Sequence, residues 1–202
     1  MKIGILGGSF NPVHKGHLLI AETVRTAIGL DMVIFVPATV PPHRKIKKLA
    51  SPRHRLNMLR LAIKGFPEFR VSDIELKRGG MSYTIDTIKY FKKELGARNK
   101  FYFLCGTDNI PELPFWKEFR ALLKECQFVF YNRHGEHEKP LEKLAPFVDS
   151  ETLKSLKKHF LDGVIINIAA TDVRRRIKRK EPARQMVPEK VLKYILKNRL
   201  YA

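Results

Sequence analysis

The spacing of apolar positions predicts strands and helices in alternation. Ile3, Ile5 and Leu6 sit in a compact run, Lys2 to Leu6, that ends at Gly7-Gly8. A short, continuous apolar run of this kind reads as a strand buried on both faces. From about Lys15 to Gly29 the spacing turns helical, carried by Leu18, Leu19, Ala21, Ala27 and Ile28. A second buried-strand run, Met32 to Val36, follows and stops at Pro37. Strand, loop, helix and strand in succession favour a parallel sheet with a right-handed crossover.

The same rhythm continues to the end of the chain. Ser51-Pro52 is a helix start for a helix through Lys64, and Phe69 to Ser72 is a third, shorter strand. Gly79-Gly80 breaks the chain before a helix from about Thr84 to Leu95, with Ile85, Ile88, Phe91 and Leu95 on one side and Gly96 as its C-terminal cap. Lys100 to Cys105 forms the next strand, ended by Gly106. Glu118 to Lys124 reads as a short helix and Gln127 to Tyr131 as a fifth strand. Residues 132–162 are mixed, with a helix from Ser150 to Phe160, and Val164 to Ile166 is a sixth strand. A helix from Thr171 and another after Pro188 close the chain. No internal repeat or linker interrupts this order. The expectation is a single α/β domain over residues 1–202: a doubly wound, mostly parallel, Rossmann-like sheet with helices on both faces. The helices within 171–200 belong to that domain. Ligands of such sheets lie at the carboxyl ends of the strands.

Composition narrows the class. A 44% hydrophobic fraction over 202 residues suits a packed globular chain. No apolar stretch approaches the roughly 20 residues that span a bilayer. The first residues lack the long apolar core of a signal peptide. A cytoplasmic protein without a membrane partner is expected. Cys105 and Cys126 cannot build a disulfide framework and lack metal-ligand spacing, so both read as buried thiols. The formal charge of +19 is the one extreme value. It fits a nucleic-acid footprint, a site for polyanionic small molecules, or a basic surface alone. Basic residues are spread along the chain, with one dense run at Arg174–Lys180. That run has no interleaved aromatics and no single-strand-binding pattern, so nucleic acid is not the expected partner.

The segment after the first strand carries the chemistry: Gly7-Gly8-Ser9-Phe10-Asn11-Pro12-Val13-His14-Lys15-Gly16-His17. Glycines directly after a strand let the backbone turn sharply and approach a phosphate closely. The following helix directs its orphan N–H groups and positive dipole end to the same place. His14 and His17, three residues apart, share a face. Two imidazoles there can donate to non-bridging oxygens of a triphosphate as charge grows on a leaving pyrophosphate. The spacing matches neither Gly-x-Gly-x-x-Gly nor Gly-x-x-x-x-Gly-Lys-Ser/Thr. A zincin-type pair would be four apart with an intervening Glu, which is absent, so no metal ligand is assigned. The bland alternative is a Gly/Asn/Pro turn with incidental histidines.

This segment resembles the Gly-x-Phe-Asx-Pro-x-His-x-Gly-His signature of the nucleotidyltransferase superfamily. Gly79-Gly80-Met81-Ser82-Tyr83-Thr84-Ile85-Asp86-Thr87 is similar to the Gly-x-Ser-Tyr-Thr-x-Asp-Thr motif of bacterial nicotinate mononucleotide adenylyltransferases. Pro41-Pro42-His43 resembles that family's Pro-Pro-His-Lys loop, with Arg44 in the Lys position, and Lys45 next to it. Cys105-Gly106-Thr107-Asp108-Asn109, followed by Phe115-Trp116, resembles its Gly-x-Asp and Trp segment. Ile168-Ala169-Ala170-Thr171-Asp172-Val173-Arg174 resembles its Ile-Ser-Ser/Ala-Thr-x-Ile-Arg motif, with Ala169 and Ala170 at the Ser positions. The motifs occur in the family's order over nearly the full length. Pantetheine-phosphate adenylyltransferases, by contrast, lack the Ser-Tyr-Thr segment.

The resemblance implies transfer of AMP from ATP to nicotinate mononucleotide in NAD biosynthesis, with Mg²⁺ accompanying ATP. ATP and a pyridine mononucleotide would be the partners; a homo-oligomer is left open. His14 and His17 would be catalytic. Gly7, Gly8, Ser9, Phe10, Gly106, Asp108, Thr171 and Arg174 would join them in binding ATP. Asn11, Lys45, Tyr83, Thr84 and Trp116 would bind the acceptor. An indole face at Trp116 can stack on a pyridine ring, against the reading of a core or lid tryptophan. Tyr83 and Thr84 lie at a helix start, where N–H groups can hold a carboxylate, though Thr84 also suits a plain cap. Asp108 can accept from a ribose hydroxyl or serve a turn. Thr171 is expected as helix cap and phosphate donor, and Arg174 as phosphate clamp. Arg175, Arg176 and Lys178–Lys180 read as a solvated face. Residues alone leave nicotinate and nicotinamide acceptors open.

Overall fold

β-Branched and aromatic runs become strands, and amphipathic stretches become the helices between them. The computed structural model describes residues 1–40, 49–132, 139–161 and 168–202. In chain order the elements are β1 (Lys2–Gly8), α1 (Lys15–Ile28), β2 (Met32–Pro37), α2 (Pro52–Ala62), β3 (Phe69–Val71), α3 (Ile74–Arg78) and α4 (Thr84–Leu95). Then come β4 (Lys100–Gly106), a 3₁₀ segment (Thr107–Phe115), α5 (Phe119–Glu125), β5 (Gln127–Tyr131), α6 (Lys139–Glu142), α7 (Ser150–Lys157), β6 (Phe160–Leu161), α8 (Ala170–Lys178) and α9 (Glu189–Lys197).

The strands form one sheet in the order β3-β2-β1-β4-β5-β6. This is the doubly wound order that the strand–helix alternation predicts. β1 pairs in parallel with β4, placing Lys2 opposite Lys100 and Ile5 opposite Phe103. β4 pairs in parallel with β5, and β5 with β6. Ile3, Ile5 and Leu6 of β1 are almost wholly buried, as are Val33, Phe35 and Val36 of β2. Burial on both faces explains why these strands read as unbroken apolar runs rather than alternating ones. Burial also pushes the Cys126 thiol up to about 12.

The chain divides into two compact units. One gathers Met1–Leu6, Ile20–Val33 and the chain from Tyr83 through β6; the other gathers Gly7–Leu19, Ile34–Ser82 and the chain from α8 onward. β1 and β2 each begin in the first unit and end in the second. In the first unit, the Lys2 N–H donates to the Asp31 carboxylate at 2.7 Å, and the Asp31 N–H donates back to the Lys2 carbonyl at 2.9 Å.

Two expected caps are present. The Ser51 side chain accepts from the His54 N–H, with Pro52 in the first turn of α2. Gly96 closes α4 at φ 94, a conformation that favours glycine. One expectation needs correction. β6 is Phe160–Leu161, where the apolar pattern extends a helix; α7 stops at Lys157 instead. The strand expected over Val164 to Ile166 lies outside the described residues. α3 and the 3₁₀ segment have no predicted counterpart, being short and, in the latter, interrupted by Pro111 and Pro114. Among the described residues, no helix is long and apolar enough to cross a membrane.

Candidate active site

The β1–α1 connection is held from several sides within its own unit. The Ala38 N–H donates to the Gly8 carbonyl at 2.9 Å. Phe10 takes φ 44, rare for a side chain of that size, and its ring is buried. It meets His17 edge-on at 4.9 Å and tilts against Phe35 at 5.9 Å. Such an outlier persists only where the surroundings over-determine it, and here ring contacts on two sides do so.

His14 immediately precedes α1 and is buried, whereas His17, in its first turn, is half-buried. Their ring centroids are 3.7 Å apart with the planes 32° from parallel. The His14 N–H donates to Nδ1 of His17 at 3.1 Å, and the His17 N–H donates to the His14 carbonyl at 3.0 Å. Accepting at Nδ1 fixes the neutral His17 ring with its proton on Nε2. The expected shared face is therefore a locked pair beside the N-terminus of a 14-residue helix.

Asn11 ties this loop to the end of the chain. Its Oδ1 accepts the Ala50 N–H at 3.0 Å and the Tyr201 hydroxyl at 2.8 Å. Its carbonyl accepts Nη1 of Arg174 at 2.7 Å. Arg174 thus reaches the β1–α1 connection through the backbone of Asn11. The Lys15 N–H donates to the Met186 carbonyl at 2.9 Å.

Arg55 and Tyr201 are the residues that sequence reasoning missed. Arg55 is 1% exposed and donates to three carbonyls: Ser9 at 2.9 Å, Ala38 at 2.6 Å and Ala50 at 3.1 Å. Burial lowers the affinity of its guanidinium for the proton, and Tyr201 opposes that shift. The signal was present: Met58 and Leu59, three and four positions on, are fully buried, so helical register puts Arg55 on the apolar face. A buried arginine must then be satisfied by something, here loop carbonyls. Tyr201 follows the last helix and has no periodic signal.

Thr171 is not the cap of its helix. Ala169 occupies that position in extended conformation without a side-chain bond, and Thr171 is exposed within the first turn of α8. Ala at a cap forgoes the usual hydroxyl or carboxamide acceptor.

The remaining expected residues lie in the other unit. Gly106 ends β4, and Asp108, exposed, stands in the first turn of the 3₁₀ segment. A Cβ on Gly106 would collide with the Asp108 carboxylate, so glycine is required for that carboxylate to fold back over the strand end. Asn109 Nδ2 donates to the Gly106 carbonyl at 3.2 Å. Tyr83 is the cap residue of α4 and Thr84 its first residue; both are half-buried. Lys117 Nζ lies 4.8 Å above the Tyr83 ring and pairs with Asp86 at 3.0 Å. Trp116 meets Phe103 edge-on at 5.8 Å. It lines an open pocket of about 360 Å³ with Pro114, Phe119, Ala121 and Phe147. Lys45 and Arg44 lie outside the described residues, as do the Pro41, Pro42 and His43 that precede them.

The family model described as cytidylyltransferase-like matches residues 5–176. A protein of Thermoanaerobacter sp. (strain X514) named "Probable nicotinate-nucleotide adenylyltransferase" is 40% identical over 207 residues, spanning 100% of this chain and 94% of its own. The chain belongs to the nicotinate-nucleotide adenylyltransferase family. A second member of that name, from Moorella thermoacetica, is 38% identical over 200 residues, 99% of this chain and 91% of its own. The solved structure of the Plasmodium falciparum nicotinic acid mononucleotide adenylyltransferase complexed with NaAD shares the adenylyltransferase fold, with a TM-score of 0.76 at 24% identity over 99% of this chain and 97% of that one.

Proposed function

We propose that this chain transfers AMP from ATP to nicotinate mononucleotide, releasing pyrophosphate and nicotinate adenine dinucleotide in NAD biosynthesis. The full-length match to relatives of that name carries the reading. The closely packed imidazole pair supports assigning the transfer to the β1–α1 connection.

A phosphate oxygen of the mononucleotide attacks the α-phosphorus of ATP in line. The new P–O bond forms as the bond from the α-phosphorus to the bridging oxygen breaks, and the electron pair leaves with pyrophosphate. The attacking phosphate is already anionic, so no protein nucleophile or strong base is needed; position and charge neutralisation supply the rate. His17 presents Nε2–H, and with His14 it stabilises charge growing between the α-phosphate and pyrophosphate. The α1 dipole adds to this. One arm of Arg174 steadies Asn11, and the rest of its fork serves phosphate oxygens. Gly7, Gly8, Ser9 and Phe10 give the close backbone approach. Thr171 contributes its first-turn N–H and exposed hydroxyl, without capping.

Gly106 and Asp108 are assigned to the ATP ribose. Asn11, Lys45, Tyr83, Thr84 and Trp116 are assigned to the acceptor, with Trp116 stacking on the pyridine. Mg²⁺, bound together with ATP, would supply neutralisation of the phosphate charge. Among the described residues no three or more His, Cys, Asp or Glu gather as a cage. We assign the reaction to the cytoplasm.

The test is pyrophosphate release with ATP and Mg²⁺ and, in parallel, nicotinate mononucleotide, nicotinamide mononucleotide or pantetheine phosphate. Release with nicotinate mononucleotide well above the other two is expected. Release only with pantetheine phosphate would overturn the acceptor, and release with none would overturn the activity.

A further inference from the structure

Tyr201 lies beyond the last helix and outside every expected set, yet its hydroxyl reaches the loop that holds the histidine pair. The chain after α9 is shaped to bring it there. The Leu200 N–H donates to the Ile195 carbonyl at 3.0 Å and the Arg199 N–H to the Leu196 carbonyl at 3.1 Å, which turns the chain at the helix end. Arg199 at φ 49 and Tyr201 at φ 66 both occupy the left-handed region, which side chains rarely adopt. Two such residues in three positions are held by what the turn delivers. It delivers a phenol that donates to Oδ1 of Asn11 at 2.8 Å.

That bond has a consequence for the asparagine. The Ala50 N–H donates to the same oxygen at 3.0 Å, so two donors define which side of the amide is oxygen. The amide plane is thereby fixed, and its NH₂ edge faces the opposite way. Arg174 holds the carbonyl of the same residue at 2.7 Å. Asn11 itself is 1% exposed and lies three positions before His14. Side chain and main chain of one residue are thus clamped from three parts of the chain: Ala50, α8 and the turn after α9.

We infer that Tyr201 is a positioning residue for nucleotidyl transfer, setting the orientation of Asn11 and through it the loop that carries His14. The inference rests on the adenylyltransferase reading for its kinetic consequence, and on geometry alone for its structural one. Burial pushes the Tyr201 phenol well above the ordinary tyrosine range, while Arg174 and Arg55 nearby oppose that shift only in part. The phenol therefore stays a neutral donor throughout the working pH range.

The decisive comparison is Tyr201→Phe against Tyr194→Phe. Tyr194 is a second phenol of the same region, hydrogen-bonded to His54 at 2.9 Å and Asn57 at 3.0 Å, and has no part in the loop. Each variant keeps its ring and loses one hydrogen-bonded hydroxyl, so a merely structural role predicts the same behaviour for both. If Tyr201 positions the loop, Tyr201→Phe lowers kcat/KM for the mononucleotide about 10-fold with KM for ATP within about twofold, and Tyr194→Phe changes neither. Hydrogen exchange in peptides covering residues 9–14 is measured on the same proteins. Faster exchange in Tyr201→Phe alone is expected, whatever acceptor the enzyme uses. Wild-type kinetic constants together with unchanged exchange in Tyr201→Phe would overturn the inference while leaving the activity standing. A wild type without turnover would overturn the activity, and the exchange comparison would still decide the role of Tyr201.

Discussion

The loop that follows β1 and the segment that runs into Trp116 are built in opposite ways. In the first, Phe10, Asn11 and Arg55 are each 1% exposed and His14 is 3% exposed. Arg55 joins Ser9, Ala38 and Ala50 there, and the Asn11 side chain also takes the Ala50 N–H. In the second, a 3₁₀ stretch with two prolines ends at Phe115, which is 72% exposed, and Trp116 opens onto a pocket. A buried, cross-braced loop suits groups that must meet a developing charge without reorganising. A more exposed aromatic segment beside an open pocket suits recognition of a flat ring. The first region should therefore govern kcat and stability, and the second KM.

Three substitutions probe that division. His17→Ala should lower kcat by about 10²- to 10³-fold, as removal of one preorganised donor does, in a protein that still melts cooperatively as a folded chain. Steady-state kinetics and a thermal melt check it; a tenfold rise in KM at unchanged kcat would move His17 to the recognition side. Arg55→Met keeps the bulk of the side chain but leaves three carbonyls without their donor, and should cost about 3 kcal/mol in denaturant unfolding. A loss under about 1 kcal/mol would mean that the loop is braced elsewhere. Trp116→Ala should raise KM for nicotinate mononucleotide about 10-fold and leave kcat within about twofold, consistent with loss of one stacked ring. A fall in kcat larger than the rise in KM would erase the distinction between the regions.

Legibility in the sequence follows the same line. β1, the glycine turn and α1 are readable because strand, glycines and histidine spacing each impose a local rule, and the local rules agree. Gly96 and Ser51 are readable for the same reason. Thr171 misleads because a hydroxyl residue at a helix start looks like a cap, whereas the chain enters α8 two residues earlier through Ala169, which cannot cap with its side chain. β6 misleads because two residues of strand are set by pairing with Phe130 and Tyr131, a long-range contact that leaves no periodic trace. Arg55 was legible in principle from its register against Met58 and Leu59, but Tyr201 was not. Its importance comes from a turn that returns the chain to a residue 190 positions away.

The central claim is that the protein supplies position and charge while the substrate phosphate does the attacking. The stereochemical course at the α-phosphorus tests it most directly, using ATP made chiral there by a single sulfur and nicotinate mononucleotide as acceptor. One in-line displacement predicts inversion of configuration in the dinucleotide. Retention would contradict it, since two displacements would require a covalent adenylyl-enzyme, and His14 and His17 would then have to be re-examined as nucleophiles.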